Sequence, residues 1–201
     1  MNIPNELGSP TAALAELQAG NQRFVTGTRV HPNQDAEHRA ALADAQTPFA
    51  VVFGCSDSRL AAEIIFDRGL GDLFVVRTAG HTIGPEVLGS IEYAVTLLDT
   101  PLVVVLGHNS CGAVTAARES LAEGTSPAGH LGAMVAAVVP SVRAAEPGAS
   151  VDQIVEVHIR RTVEQLRAES PVLAAAVAAG RCAVVGMFYQ LGDGQVRIVT
   201  P

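Results

Sequence analysis

The sequence lacks tryptophan altogether, holds only three cysteines and is poor in aromatic residues (4%) for a chain of 201 residues. Three cysteines (Cys55, Cys111, Cys182) cannot all pair within one chain, so a disulfide framework is a poor explanation of the fold. No apolar run approaches the ~18–20 residues that a membrane span requires. The opening MNIPNELGSP has neither a basic n-region nor an apolar h-region, so no signal peptide is expected and a cytoplasmic location follows. Basic residues are outnumbered, 13 Lys+Arg against 20 Asp+Glu, for a net charge of −7. That balance argues against nucleic acid or an anionic membrane as the main partner. Internal repeats, linkers and low-complexity tracts are absent too. What remains is 48% hydrophobic and long enough for a sizeable core, so residues 1–201 are read as one soluble domain.

Ser9-Pro10 has the form of an N-cap followed by proline at the first helical position. Leu14, Leu17 and Phe24 then fall roughly on one helical face. Asp35 can cap a second short helix that ends near Gln46-Thr47-Pro48. From there the pattern changes to short continuous apolar runs: Phe49–Phe53, Leu73–Val76 and Leu102–Leu106. Such runs suit strands buried on both faces. Helix-like spacing fills 60–68 and 85–98, with Val87, Ile91 and Ala94 in one stripe, and helix is expected over 112–123, 129–145 and 150–178. A final strand from Ala183 to Tyr189 meets Gly192-Asp193-Gly194 and then Val196–Val199, which reads as a hairpin. Alternating strands and helices indicate an α/β fold on a parallel sheet, mixed at one edge.

Two segments carry the chemistry. Gly54-Cys55-Ser56-Asp57-Ser58-Arg59 follows the first strand, and Gly107-His108-Asn109-Ser110-Cys111-Gly112 follows the third. Both lie at carboxyl ends of parallel strands, where open α/β sheets bind ligands. Together they supply two thiolates and an imidazole, a soft three-ligand set suited to zinc with a fourth position for water. Gly107-x4-Gly112 is not a phosphate loop, because Ala113 stands where that loop needs lysine. Cys182, beside Ala183 and Val184, is read as an inert buried thiol.

CSDSR and GHNSCGAV, with GDLFVVRTAG and GSIEYAV between them, resemble the β-class carbonic anhydrases over nearly the whole chain. The resemblance implies a four-stranded parallel sheet flanked by helices, with an antiparallel strand near the C-terminus. It implies one Zn2+ per chain on Cys55, His108 and Cys111, with Asp57 and Arg59 as the catalytic pair. It also implies substrate contacts from Gln46, Phe74, Tyr93 and the Gly112 backbone N–H. In that family some pocket residues come from the neighbouring subunit, so a homodimer or tetramer is implied, with residues 1–48 as a helical arm packing on the partner. The implied reaction is reversible hydration of CO2 to bicarbonate and a proton by zinc-bound hydroxide. Asp57 would be a fourth zinc ligand in a closed state at lower pH.

Two features depart from the family pattern. Arg77-Thr78-Ala79-Gly80-His81 stands where Arg-Asn-Ala-Gly-Asn is usual, and His81 is read as a locally hydrogen-bonded histidine in preference to a proton shuttle. The regulatory bicarbonate pocket that uses tryptophan cannot be present in that form. Two other functions share the motifs: a COS or CS2 hydrolase on the same scaffold, and a non-catalytic zinc-stabilised binding protein. The second would leave no reason to keep Asp57 and Arg59, which puts catalysis ahead.

Overall fold

The computed structural model describes residues 7–200. Its centre is one five-stranded sheet in the order β2-β1-β3-β4-β5, formed by β1 (Ala50–Cys55), β2 (Leu73–Thr78), β3 (Leu102–His108), β4 (Ala183–Tyr189) and β5 (Val196–Thr200). The first four strands are parallel, and β5 returns antiparallel to β4 across the expected hairpin. Every residue of β1 and β3 is buried, as their unbroken apolar runs require of strands covered on both faces. β2 reads the same in sequence but is only partly buried. The reason is its position: it pairs with β1 alone and forms an edge of the sheet.

Among the described residues, eight α-helices surround the sheet, with one 3-10 turn at Ala79–His81: α1 (Pro10–Thr26), α2 (Ala36–Ala41), α3 (Ala62–Ile65), α4 (Pro85–Leu97), α5 (Gly112–Glu123), α6 (His130–Ala144), α7 (Val151–Glu169) and α8 (Pro171–Ala178). The Val87, Ile91 and Ala94 stripe of α4 is buried as expected. Three boundaries differ from expectation. α2 begins at the predicted cap, with Asp35 accepting from the His38 N–H, but stops at Ala41 and buries no residue. Its contacts are limited to Leu42 at Gly71 and His38 on the Leu70 carbonyl (3.0 Å), so no buried face draws the helix on to Pro48. The helix expected over 60–68 shrinks to four residues. The span 150–178 divides at Ser170-Pro171, where Ser170 both ends α7 and caps α8 through the Leu173 N–H; proline cannot continue the first helix but is suited to start the second.

α7 lies close against the sheet because two strand positions carry no side chain. A Cβ on Gly107 or Gly186 would sit 2.6 Å from a carbon of Ile159. No helix among the described residues is long and apolar enough to cross a membrane. Residues 1–6 of the expected N-terminal arm lie outside the described residues. Helix α1 is anchored to its own chain through Ala13, Leu17 and Asn21, all buried. Asn21 Nδ2 donates to the carbonyls of Ile65 (3.1 Å) and Gly194 (2.9 Å), and its Oδ1 accepts from the Val196 N–H (2.9 Å). One side chain thus ties α1 to α3 and to the C-terminal hairpin. Asn21→Ala leaves three buried backbone groups without partners, at about 1 kcal/mol or more each. We expect a loss of about 3 kcal/mol in urea unfolding at unchanged m-value; a loss below about 1 kcal/mol would remove Asn21 from this role.

Candidate metal centre and cleft

Cys55 is the last residue of β1 and His108 the last of β3, while Cys111 sits immediately before α5. β1 and β3 pair with Gly54 opposite Leu106, so the two strand ends finish side by side. The ligand-capable atoms of Cys55, His108 and Cys111 all lie within 4.8 Å of one another, and all three residues are buried. His108 Nδ1 bonds to the Asn109 carbonyl at 2.8 Å. A carbonyl only accepts, so Nδ1 carries the proton and Nε2 presents a lone pair. That Nε2 is buried with no hydrogen-bond partner. A buried, unpaired acceptor beside two sulfurs is what a soft N/S metal site needs, so the residues fit zinc.

The surroundings favour negative sulfur. The Gly80 N–H donates to Cys55 Sγ at 3.3 Å. Hydrogen bonding to Cys111, and further to the Gly80 N–H, holds the Cys55 thiol well below its ordinary range, against the opposing effect of burial. Cys111 moves the other way, because Cys55 is its hydrogen-bond partner and burial adds to the effect. The two sulfurs thus push each other's titration in opposite directions, which favours one of them being negative. The loop between the ligands is fixed from outside: the Leu191 N–H donates to Asn109 Oδ1 (2.7 Å) and the Ser110 N–H to Asp152 Oδ1 (2.9 Å). Ser110 has a positive φ of 54°, an uncommon backbone state for a residue with a side chain.

Asp57 and Arg59 form a two-pronged pair, with Arg59 Nε donating to Oδ1 (2.9 Å) and Nη2 to Oδ2 (2.7 Å). The Arg59 N–H adds a third bond to Oδ1 at 3.0 Å. These bonds hold the Asp57 carboxyl well below the usual carboxylate range. Its Oδ2 is 3.9 Å from His108 Nε2, so the carboxylate faces the ligand set. Arg77 braces the turn from behind by donating to the carbonyls of Cys55 (2.9 Å) and Asp57 (2.6 Å). A cleft of about 360 Å³ opens above the group. Its walls are Gly112, Ala113 and Ala116 of α5 with Leu131 and Met134 of α6, so it is mostly apolar.

The predicted site residues divide into two clusters. Cys55, Asp57, Gly112 and Cys111 gather at the carboxyl end of the sheet, with His108 and Arg59. Gln46 and Tyr93 line a separate groove of about 620 Å³ with Leu42 and Leu70, and Phe74 stacks on Tyr93 with centroids 6.1 Å apart. Phe74 pairs with Val51, four strand positions before Cys55. At ~3.3 Å per residue the two clusters stand about 13 Å apart along the strand.

His81 corrects its prediction. It is 1% exposed, and neither ring nitrogen has a hydrogen-bond partner. It is packed by ring contacts to His158 and Phe53, and burial keeps it neutral. Neither a local hydrogen bond nor a proton shuttle describes it. Sequence reasoning also missed Gly80, Asn109 and Asp152, along with the Leu131 and Met134 wall. The Ser150-x-x-Gln153 capping box marks the start of α7, but nothing in it announces that Asp152 reaches residue 110. Cys182 is buried as expected, and burial pushes its thiol up to about 11.

An open, mostly parallel α/β sheet with a Cys–His–Cys group at its strand ends defines a class of metal-site proteins, and the comparisons narrow it. The carbonic anhydrase family model matches residues 50–196. Carbonic anhydrase 2 of Mycobacterium tuberculosis is 54% identical over 195 residues, spanning 96% of this chain and 93% of that protein. A carbonic anhydrase of Mycolicibacterium smegmatis is 52% identical over 198 residues, spanning 98% and 95%. A Coccomyxa β-carbonic anhydrase solved with acetazolamide superposes at a TM-score of 0.71 with 26% identity, over 92% of this chain and 85% of that one. The chain belongs to the β-class carbonic anhydrase family and is an enzyme of that kind.

The site makes a direct prediction about metal content. Cys55→Ser and His108→Ala should each be purified with well under one equivalent of zinc, while Cys182→Ser keeps the wild-type amount. Elemental analysis decides it, and a full equivalent in both of the first two variants would place the metal elsewhere.

Proposed function

We propose that this enzyme hydrates CO2 reversibly to bicarbonate and a proton, with one zinc held by Cys55, His108 and Cys111. The observation that carries the reading is the clamped, ionised Asp57 carboxylate facing a buried Cys–His–Cys group across an apolar cleft. Zinc bound there supplies a Lewis acid that makes hydroxide available from water near neutral pH. Everything else falls to the chain. Asp57, locked by Arg59, accepts a hydrogen bond from the attacking hydroxide and so leaves a lone pair aimed at carbon. CO2 is small and apolar, and Ala113, Ala116, Leu131 and Met134 receive it without competing polar groups. The Gly112 N–H, at the start of α5, is free to meet a bicarbonate oxygen, helped by the helix N-terminus. The proton passes to buffer by a route that does not include buried His81.

Asp57 stays ionised far below neutrality, because its pairing favours the charged form. Any loss of activity between about pH 8 and 6 is therefore not protonation of Asp57. The residue placed to act instead is Asp57 itself: released from Arg59, its carboxylate would be a further donor for zinc held by Cys55, His108 and Cys111, as the family resemblance implies. Asp57→Asn should lower kcat/KM by about 10²–10⁴-fold with zinc retained. Stopped-flow CO2 hydration from pH 6.5 to 9 tests both points. Full zinc and no hydration at any pH would turn the reading toward COS or CS2 hydrolysis.

The second cluster supports assembly. Gln46, Phe74 and Tyr93 are too far from Cys55 to meet substrate in the same chain. Gln46 and Tyr93 line the groove beside α2, which buries nothing, and Phe74 lies on the edge strand β2. Tyr93 is 44% exposed despite its ring contact. We infer that a second copy packs on this face and that each chain lends these residues to the other's cleft, with α1 and α2 as the arm. Tyr93→Asp should yield monomers in sedimentation that keep zinc and lose most activity. A fully active monomer would overturn the shared pocket.

A further inference from the structure

Gly80, whose N–H donates to Cys55 Sγ, is gripped on its other side as well. Its carbonyl lies 2.8 Å from His158 Nε2, and His158 Nδ1 lies 2.8 Å from Ser141 Oγ. Since the carbonyl can only accept, Nε2 carries the proton and Nδ1 accepts from the Ser141 hydroxyl. That assignment leaves no choice of tautomer. Both side chains are buried, and burial also holds the imidazole neutral. The His81 ring lies against the His158 ring with centroids 4.3 Å apart, which restricts its rotation. His158 comes from α7 and Ser141 from α6, and neither helix contributes a member of the Cys–His–Cys group.

Gly80 needs such a grip because its backbone is unusual. It has φ 65° and ψ 24°, and a Cβ there would lie 2.7 Å from the Ala113 Cβ. His81 follows with a positive φ of 40°. Ala79–His81 form a single 3-10 turn that the left-handed Gly80 interrupts, so the turn alone fixes the amide poorly and side-chain bonds help set where it points. An N–H bonded to a thiolate withdraws electron density from sulfur and fixes its direction.

We propose that His158, oriented by Ser141, is a positioning residue that holds the Gly80 amide on the Cys55 sulfur and so sets how strongly that sulfur donates to the bound metal. The inference rests on the metal reading given above, and one experiment separates the two. Cobalt(II)-substituted wild-type holoenzyme should show thiolate-to-cobalt charge-transfer bands; their absence would overturn the metal reading itself. Given those bands, His158→Leu should move them to lower energy, because a sulfur that loses its hydrogen bond donates more strongly. Its zinc affinity, measured by chelator competition, should fall about 10–100-fold, because the sulfur is no longer held in position and that loss outweighs its stronger donation. His158→Gln keeps an N–H donor near the Gly80 carbonyl, so it should return the bands to the wild-type position. A merely structural histidine would not give that spectroscopic rescue. Ser141→Ala removes only the hydroxyl and should shift the bands the same way by less, and it carries the test if His158→Leu fails to fold. Wild-type bands in His158→Leu, or in Ser141→Ala if that variant alone folds, would overturn the proposal.

Discussion

The metal centre depends first on one pairing: β1 beside β3, in a parallel register that brings Gly54 opposite Leu106. Cys55 and His108 are strand residues, so their separation is set by backbone hydrogen bonds and not by a mobile loop. A slip of one residue would turn either side chain to the opposite face of the sheet. The buried apolar runs of both strands guard against that slip, because they leave little freedom in how the core is filled. Only the third member, Cys111, comes from outside the sheet, and its loop is pinned at Asn109 and Ser110 from two other elements.

Charge around the cleft is similarly economical. Asp57 is the one acidic side chain among the cleft-lining residues, and three hydrogen bonds from Arg59 assign two edges of its carboxylate. What is left faces the ligand group. Arg77, which could have competed for Asp57, spends its donors on backbone carbonyls of the same turn. The remaining walls are small or apolar, so Asp57 is the one charge the cleft presents.

Much of this was legible in the sequence. The apolar runs locate the strands, and the motifs at their ends point to Cys55, His108 and Cys111, which the structure brings together. The unread parts share a cause. α3 and α2 were overextended because apolar spacing continues past the point where there is anything to cover. The break at Ser170-Pro171 was visible in principle, since it repeats the Ser9-Pro10 signal that was used for α1. β2 and β1 look alike as sequence, and only the sheet order makes one of them an edge. Contacts such as His158 to Gly80 join residues 78 positions apart, and no local pattern encodes a partner at that distance. The separation of Phe74 and Tyr93 from Cys55 is of the same kind, a product of strand register.

Viewed from the unfolded chain, the Cys–His–Cys group is a cross-link. Cys55 and His108 are separated by some fifty residues, so a cation held by both closes a loop containing β2 and α4, much as a disulfide would. The unfolded chain can offer only the local pair His108 and Cys111, which binds more weakly than three converging donors. The difference in binding free energy accrues to molecules that have already brought β1 and β3 together. A cation bound there would be a selective weight on the native register, favouring it over every arrangement that separates the three side chains.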